Sequence, residues 1–457
     1  MTVNIITADN YAVNYTLAPS NSTMWVMPGV TLSNYLSLIP HISVVRLQGF
    51  EASMTSHGTI LAAHAGPGIE LVGLGTKVTF GTSSIYLSAA IVGTPSIIVQ
   101  NGSATITNHG LISASEAVAI VAVGGQNAIY NDGRIEGGSG GLFLGANGSA
   151  GDRLVNDGTI LAGNAQLAVF SERFNHAVQI EGNGTVLINH GTLAALATLG
   201  AGVNIGANGL TGAGSRVENY GSITSALWLG VDMAYLVNAG ATLFNHGLIS
   251  GGTGGVRGSI FADVVTNSGT VRGNIDLGQG DDLYDGRGGV VFGQINGYWG
   301  NDTMIGGAQD DDLFGDVGND LMRGGAGDDK IDGSSGNDTV LGGQGDDTIV
   351  GGAGRDVMTG GGGADVFQFV TAAAIGNSVA TRDVIRDFTT GLDLIDLATL
   401  PGTLTFIGAA AFSNVANQLR YTAATGLLEG DTNGNSTADF TLFLGAGTVL
   451  AAGDLIL

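Results

Sequence analysis

The sequence predicts an all-β chain: a parallel β-helix, then a parallel β-roll, then a small C-terminal β domain. Three observations carry this prediction. A strict nine-residue repeat fills residues 297–368, a looser Asn-X-Gly repeat runs through the front half, and the 3.6-residue apolar period of helices is absent. Composition agrees with it. The 457 residues include 80 Gly, 6 Pro and no Cys. Glycine at that frequency, without a three-residue period or abundant proline, excludes collagen and calls for many tight turns. An apolar content of 44% excludes a disordered acidic tail. The missing cysteine excludes disulfides and thiolate-held metals. With 15 Lys and Arg against 39 Asp and Glu, the net charge is −24. Phosphate contacts need basic residues, so no nucleic-acid partner is expected.

Residues 1–50, with Trp25, Pro28 and Pro40, are expected to form the entry strands and cap that a solenoid end needs. The run Met1–Asn10 lacks the basic start, apolar core and cleavage site of a Sec-type leader. No apolar run approaches the roughly 18 residues of a membrane helix, so no transmembrane segment is expected.

Residues 51–275 are expected to form the β-helix. Asn-X-Gly recurs at Asn108, Asn131, Asn156, Asn189, Asn219, Asn245 and Asn267, and Ser56-His57-Gly58 reads as an earlier copy. Each copy is followed by a short strand-like piece such as Leu111-Ile-Ser or Thr159-Ile-Leu. Spacings of 22 to 33 residues fit one coil each. Asparagine at a repeated turn tolerates the left-handed conformation and can stack into a hydrogen-bonded ladder. His57, His109, His190 and His246 share one motif position. A histidine metal column and a row of exposed turn residues both fit. The turn reading is favoured, because the position also takes Asp, Tyr and Ser.

Residues 276–368 hold 18 Asp, four Lys or Arg and no Glu. Asp alone, the shorter carboxylate, indicates that side-chain reach matters. Eight nonads begin at Gly297, Gly306, Gly315, Gly324, Gly333, Gly342, Gly351 and Gly360. Their sixth residue is always Asp: Asp302, Asp311, Asp320, Asp329, Asp338, Asp347, Asp356 and Asp365. Their eighth is always apolar, from Met304 to Phe367. An irregular earlier copy carries Asp282. Six residues make a glycine-rich turn and three a strand, so two nonads close one coil. Aspartates 18 residues apart then stack one strand spacing apart, roughly 4.8 Å. Two bare carboxylates at that distance repel by about 3.5 kcal/mol at an effective dielectric near 20. A column of them needs a cation, and Ca²⁺ takes carboxylate and carbonyl oxygens together. A glycine-rich acidic linker would not keep Asp and apolar residues in phase. An EF-hand is excluded, since no 12-residue loop ends in Glu.

This block resembles the RTX family of type I-secreted proteins, whose nonapeptides bind Ca²⁺. The resemblance implies that the sixth-position aspartates and Asp282 are ligands. Carbonyls of turn glycines such as Gly324, Gly333, Gly342, Gly351 and Gly360 would join them. Tyr298, Gln309, Asp316 and Ser334 depart from the pattern.

In residues 369–457, Arg382-Asp-Val-Ile-Arg-Asp-Phe388 and Gly391-Leu-Asp-Leu-Ile-Asp-Leu397 are similar to the C-terminal secretion domain of serralysin-type proteins. Val384, Ile385, Phe388, Leu394, Ile395 and Leu397 are its expected core. Asp383, Asp387, Asp393 and Asp396 read as turn formers or ligands. The stretch Asp431–Asp439 reads either as a calcium-type loop or as an Asx-rich turn. Asp454-Leu-Ile-Leu457 is similar to the terminal motif of type I export substrates, and equally to a buried last strand. The resemblance implies type I secretion machinery as a partner and a secreted, extracellular location. A chain that folds outside the cell on binding metal needs neither leader nor cysteine.

No His-Glu-x-x-His or Gly-x-Ser-x-Gly run is present, so zinc protease and serine hydrolase chemistry lack their residues. A β-helix lyase, epimerase or hydrolase acting on polysaccharide remains as the second reading, with Asp152, Asp157, Glu172, Glu181 and Asp232 as candidate acids. The first reading is a non-catalytic surface, matrix or adhesin-like protein. Its β-helix would meet a glycan or cell-surface ligand.

Overall fold

The computed structural model describes residues 97–457 except 101–102, 115–117, 147–150, 164–175, 197–199, 207–213 and 237–238, and the strand backbones between Val3 and Leu87. The copy at Ser56-His57-Gly58, the residues Pro28 and Pro40, the side chain of Trp25 and the acid Glu172 lie outside the described residues. The chain is all-β. Among the described residues the one α-helix is Ala372–Ile375. It forms two compact units: residues 1–260 with 269–273, and residues 261–268 with 274–457.

In the first unit each coil contributes one strand to each of three parallel sheets. Thr105–Asn108, Leu111–Ala114 and Val118–Val123 form one such coil. They pair in register with Ala128–Asn131, Arg134–Gly137 and Gly140–Ala146 of the next. The pattern explains the pairing. In each first-sheet strand the second and fourth residues point inward, so Ile106, Ile129, Leu154, Leu187, Val217 and Leu243 stack in a fully buried row. A one-residue slip would turn that row to solvent. The second sheet stacks Ile112, Ile135, Ile160, Leu193, Ile223 and Ile249, and the third Ile120, Leu142, Val178, Val203 and Val231.

The motif asparagines close the corner after the first sheet. Asn108, Asn131, Asn156, Asn189, Asn219 and Asn245 are buried. Side-chain amide to side-chain carbonyl bonds of 2.7–2.8 Å link each to the next. The expected ladder is present. The expected left-handed backbone is not: none of these asparagines has a positive φ, because each is the last residue of a strand. The following glycine answers to stacking instead. A Cβ on Gly191 would stand 1.9 Å from the Gly158 carbonyl oxygen of the coil before. The motif histidines lie outside this ladder. His109 bonds Asp132 at 2.7 Å and His190 bonds Asp157 at 2.6 Å, all exposed, and Tyr220 stacks on His246 at 4.8 Å.

In the second unit the coil shortens to two strands. Thr303–Ile305, Leu321–Ala326, Thr339–Gln344 and Val357–Gly362 pair in parallel on one side. Asp312–Phe314, Lys330–Asp332, Thr348–Val350 and Val366–Gln368 do so on the other. The core between them is thin: Met304, Met322, Val340 and Met358 face Leu313, Ile331, Ile349 and Phe367, all fully buried. Beyond the roll, Gln418–Thr422, Leu427–Asp431 and Phe440–Phe443 form an antiparallel meander. Leu455–Ile456 adds a parallel strand to Leu394–Asp396, and Asp454 caps that end by accepting from Gly391 N–H at 2.9 Å. Ile385, Phe388, Ile395 and Leu397 are core as expected, whereas Val384 and Leu394 lie half-buried. Strand alternation sends those two to the outer face.

Candidate metal centre

Each sixth-position aspartate sits directly before its strand, where the turn hands over to the sheet. Except in Asp311, the first of its column, its Oδ1 accepts the main-chain N–H of the aspartate one coil earlier. Asp302 N–H donates to Asp320 at 2.8 Å, Asp320 to Asp338 at 2.8 Å, and Asp338 to Asp356 at 2.9 Å. On the other side Asp311 donates to Asp329 at 2.9 Å, Asp329 to Asp347 at 2.9 Å, and Asp347 to Asp365 at 3.0 Å. The 18-residue spacing therefore builds two buried columns, one along each edge of the roll.

The second oxygen carries the interest. Oδ2 of Asp282, Asp302, Asp320, Asp329, Asp338, Asp347, Asp356 and Asp383 is buried with no hydrogen-bond partner. A buried unpaired carboxylate oxygen costs its full desolvation, so a native fold does not leave a row of them without purpose. The first glycine of each nonad leaves room beside that oxygen. A Cβ on Gly333 would stand 2.5 Å from both Asp338 Oδ2 and the Gly351 carbonyl oxygen. On Gly342 it would stand 2.3 Å from Asp347 Oδ2 and 2.6 Å from the Gly360 carbonyl. On Gly315 it would meet Asp320 Oδ2 at 2.4 Å and the Gly333 carbonyl at 3.0 Å, and on Gly306 the Gly324 carbonyl at 2.2 Å. Carboxylate and carbonyl thus converge on one small space. Among the described residues no point gathers three His, Cys, Asp or Glu side chains. The set is oxygen only and rich in carbonyls, which fits Ca²⁺ and not a nitrogen- or sulfur-seeking metal.

Electrostatics point the same way. Burial pushes the carboxyl of Asp338 up to about 8, helped by the charges of Asp356 and Asp320 and opposed by the hydrogen bond from Asp320. Burial likewise raises Asp282 and Asp383 to about 8, and Asp320 and Asp329 to about 7. Asp302, Asp347, Asp356 and Asp365 rise to about 6 for the same first reason. Neighbouring carboxylates of the column add to the rise at Asp282, Asp320, Asp329, Asp338, Asp347 and Asp383.

The departures from the repeat have local reasons. Tyr298, Asp316 and Ser334 adopt φ of 66–69° at the second position, which costs a non-glycine residue but keeps the turn. Gln309 replaces the fourth-position glycine and does not take the positive φ found at Gly318 or Gly327. There the turn changes, and Gly307 N–H donates to Asp311 Oδ2 at 2.7 Å, so that oxygen alone among the early members is occupied.

The columns extend beyond the repeat. Asp263 N–H donates to Asp282 Oδ1 at 2.7 Å, and Asp282 to Asp302 at 2.8 Å. At the other end Asp356 donates to Asp383 at 2.8 Å and Asp365 to Asp393 at 3.2 Å. Asp387 instead accepts from Gly360 and Gly361 N–H at 3.0 and 2.9 Å, and Asp396 from Gln368 and Ala398. The fifth position, which the repeat did not single out, forms a second, exposed ladder. Asn301, Asn319 and Asn337 line one edge and Asp310, Asp328 and Asp346 the other. In the Asp431–Asp439 loop both carboxylates are filled by donors of the loop itself. Asp431 takes the N–H of Gly434, Asn435 and Ser436, and Asp439 takes Thr432 and Asn433. This is an Asx-type closure.

The candidate acids of the first unit differ in their surroundings. Asp157 lies on the exposed corner beside His190. Asp232 ends a third-sheet strand, held by Arg257 at 2.7 and 3.0 Å. Asp152 and Glu181 are buried.

A family model of the RTX calcium-binding nonapeptide repeat, four copies long, matches residues 296–331 and again 332–367. Among solved structures, the AlgE6R2 subunit of the Azotobacter vinelandii mannuronan C5-epimerase, determined in solution, is similar at 24% identity. That match covers 33% of this chain and 89% of the other, with a TM-score of 0.19. No curated protein matches the chain. Among the described residues no helix is long and apolar enough to cross a membrane.

Proposed function

We infer that the chain, with RTX calcium-binding repeats through residues 296–367, is a secreted, calcium-folded binding protein that acts outside the cell without catalysis. The row of unpartnered aspartate oxygens is the observation that carries this reading. Asp282, Asp302, Asp311, Asp320, Asp329, Asp338, Asp347, Asp356 and Asp365 are the proposed ligands, with the carbonyls of Gly324, Gly333, Gly342, Gly351 and Gly360. Bound Ca²⁺ supplies the positive charge that turns column repulsion into cohesion. Asp282, Asp302, Asp320, Asp329, Asp338, Asp347 and Asp356 each fix Oδ1 on the previous coil and keep Oδ2 for the ion, so one side chain both sets register and binds. Type I export of an unfolded chain, followed by folding where calcium is plentiful, accords with binding that doubles as folding free energy. Replacing Asp338 and Asp356 together by Ala should raise the calcium midpoint of folding. An unchanged midpoint rejects the ligand assignment.

Asp157 and Asp232 are each taken up by a basic neighbour, His190 and Arg257, which supports a binding role there. A polysaccharide-active enzyme is the second reading, favoured by one feature. Arg257, fixed by Asp232, lies 5.9 Å from the Trp228 ring and 5.6 Å from that of Tyr235, a setting suited to an acidic sugar. The calcium-loaded full chain should be offered to a panel of glycans and cell surfaces. Binding that leaves the glycan intact is expected, while cleavage or epimerisation of a bound glycan would establish the second reading.

A further inference from the structure

The residue before each first-sheet strand carries the aspartate column in the roll. In the first unit that place is held by Ala104, Asn127, Asp152, Thr185, Ser215 and Ala241. Asp152 is the carboxylate of that row, and it repeats the roll's geometry. Its Oδ1 accepts the main-chain N–H of Asn127, one coil earlier, at 2.8 Å, the bond and length that join Asp302 to Asp320. The Asn127 side-chain amide adds a second bond at 3.0 Å. Its Oδ2 is buried without a partner, on a residue 1% exposed.

That oxygen also faces a glycine turn. A Cβ on Gly145, whose φ is +82°, would stand 3.3 Å from Asp152 Oδ2 and 2.4 Å from the Cα and N of Gly182. The residues flanking Gly182 are both oxygen-bearing. Asn183 has a buried Oδ1 without a partner, and its carbonyl accepts the N–H of Gly151 at 2.9 Å. Glu181 is a buried carboxylate whose N–H bonds Leu144, next to Gly145, at 2.8 Å. The contrast with Asp232 is instructive. That side chain is equally buried, but Arg257 and Ala234 N–H satisfy it. Among the described residues no ion pair reaches Asp152.

Ionised, Asp152 Oδ2 is a buried carboxylate oxygen without a donor. We propose that Asp152 is the carboxylate of an isolated calcium site within the first unit, joined by the side-chain oxygen of Asn183. A carboxylate and a side-chain amide oxygen are donors that Ca²⁺ accepts. The site takes the roll as its template and so rests on the calcium reading given for it.

Crystals of the full chain grown with calcium chloride test both readings at once through anomalous scattering. A peak within about 2.3–2.6 Å of Asp152 Oδ2 is expected beside peaks along the roll. Roll peaks without one at Asp152 overturn this site alone; no peaks at either place overturn both. In solution, Asp152→Asn keeps the Oδ1 bonds and the shape. It should bind one calcium fewer per chain in equilibrium dialysis, with its circular dichroism unchanged. An unchanged count in a folded variant overturns the site. If the variant fails to fold, the wild-type map decides.

Discussion

Chelation at pH 8 should unfold the roll and leave the three-sheet coils of the first unit folded. The two cores differ in what holds them. A first-unit coil buries apolar rows on three sheets, and the asparagine ladder satisfies its corner with neutral groups. A roll coil buries one apolar residue per strand and two aspartates. Neighbouring carboxylates at about one strand spacing repel by about 3.5 kcal/mol at an effective dielectric near 20, and each column repeats that term at every step. One apolar side chain contributes about 1.5–3 kcal/mol when buried, so the repulsion outweighs the thin core. Hydrogen exchange read by mass spectrometry separates the units. Without calcium, amides of 297–368 should exchange within seconds while those of the first unit stay protected. Millimolar Ca²⁺ should restore protection, and Mg²⁺ should not, since it demands a tighter octahedral shell and sheds water reluctantly. Equal protection with and without chelator would sink the metal argument.

The repeat made both aspartate columns legible, because one residue type at one position in a period of nine has a single structural outcome. It hid Asp263 at one end, and at the other it left Asp383 and Asp393 open between turn formers and ligands. Asp263 precedes Asp282 by 19 residues, and Asp383 and Asp393 follow Asp356 and Asp365 by 27 and 28, so no fixed period reaches them. What they share with the repeat is a bond to a neighbouring coil, which only the fold displays. Asp152 is hidden for the same reason, set among coils of 25 and 33 residues. The asparagine motif was legible as a ladder, but the reason for its glycine was not: Gly191 answers to the carbonyl of Gly158 rather than to its own φ. The third sheet left little trace in the sequence, since its strands Val178–Ile180, Val203–Ile205 and Leu229–Asp232 are buried on both faces and do not alternate.

Acidification should partly replace calcium. In the unfolded chain these aspartates titrate near 3.8, and in the metal-free roll burial raises them to about 6 for Asp302, Asp347, Asp356 and Asp365, and to about 8 for Asp282, Asp338 and Asp383. Between those values the folded roll holds more protons than the unfolded chain. Its stability therefore falls as pH rises through the window. The contribution is fully present below about pH 4 and lost by about pH 8. Calcium-free protein, unfolded in the roll at pH 8, should regain β signal and amide protection near pH 5. Protons and Ca²⁺ compete for the same oxygens, so the calcium midpoint should rise over the same descent. Recovery should stay incomplete, because a protonated Oδ2 can bond one neighbouring oxygen where the ion would gather several. Asp338→Asn together with Asp383→Asn removes two of the groups that titrate at about 8. That variant should therefore lose the upper part of the pH dependence. Metal-free signal that is flat from pH 8 to 5, or falls on acidification, would show that the columns do not hold their charge in the buried, mutually repelling arrangement described.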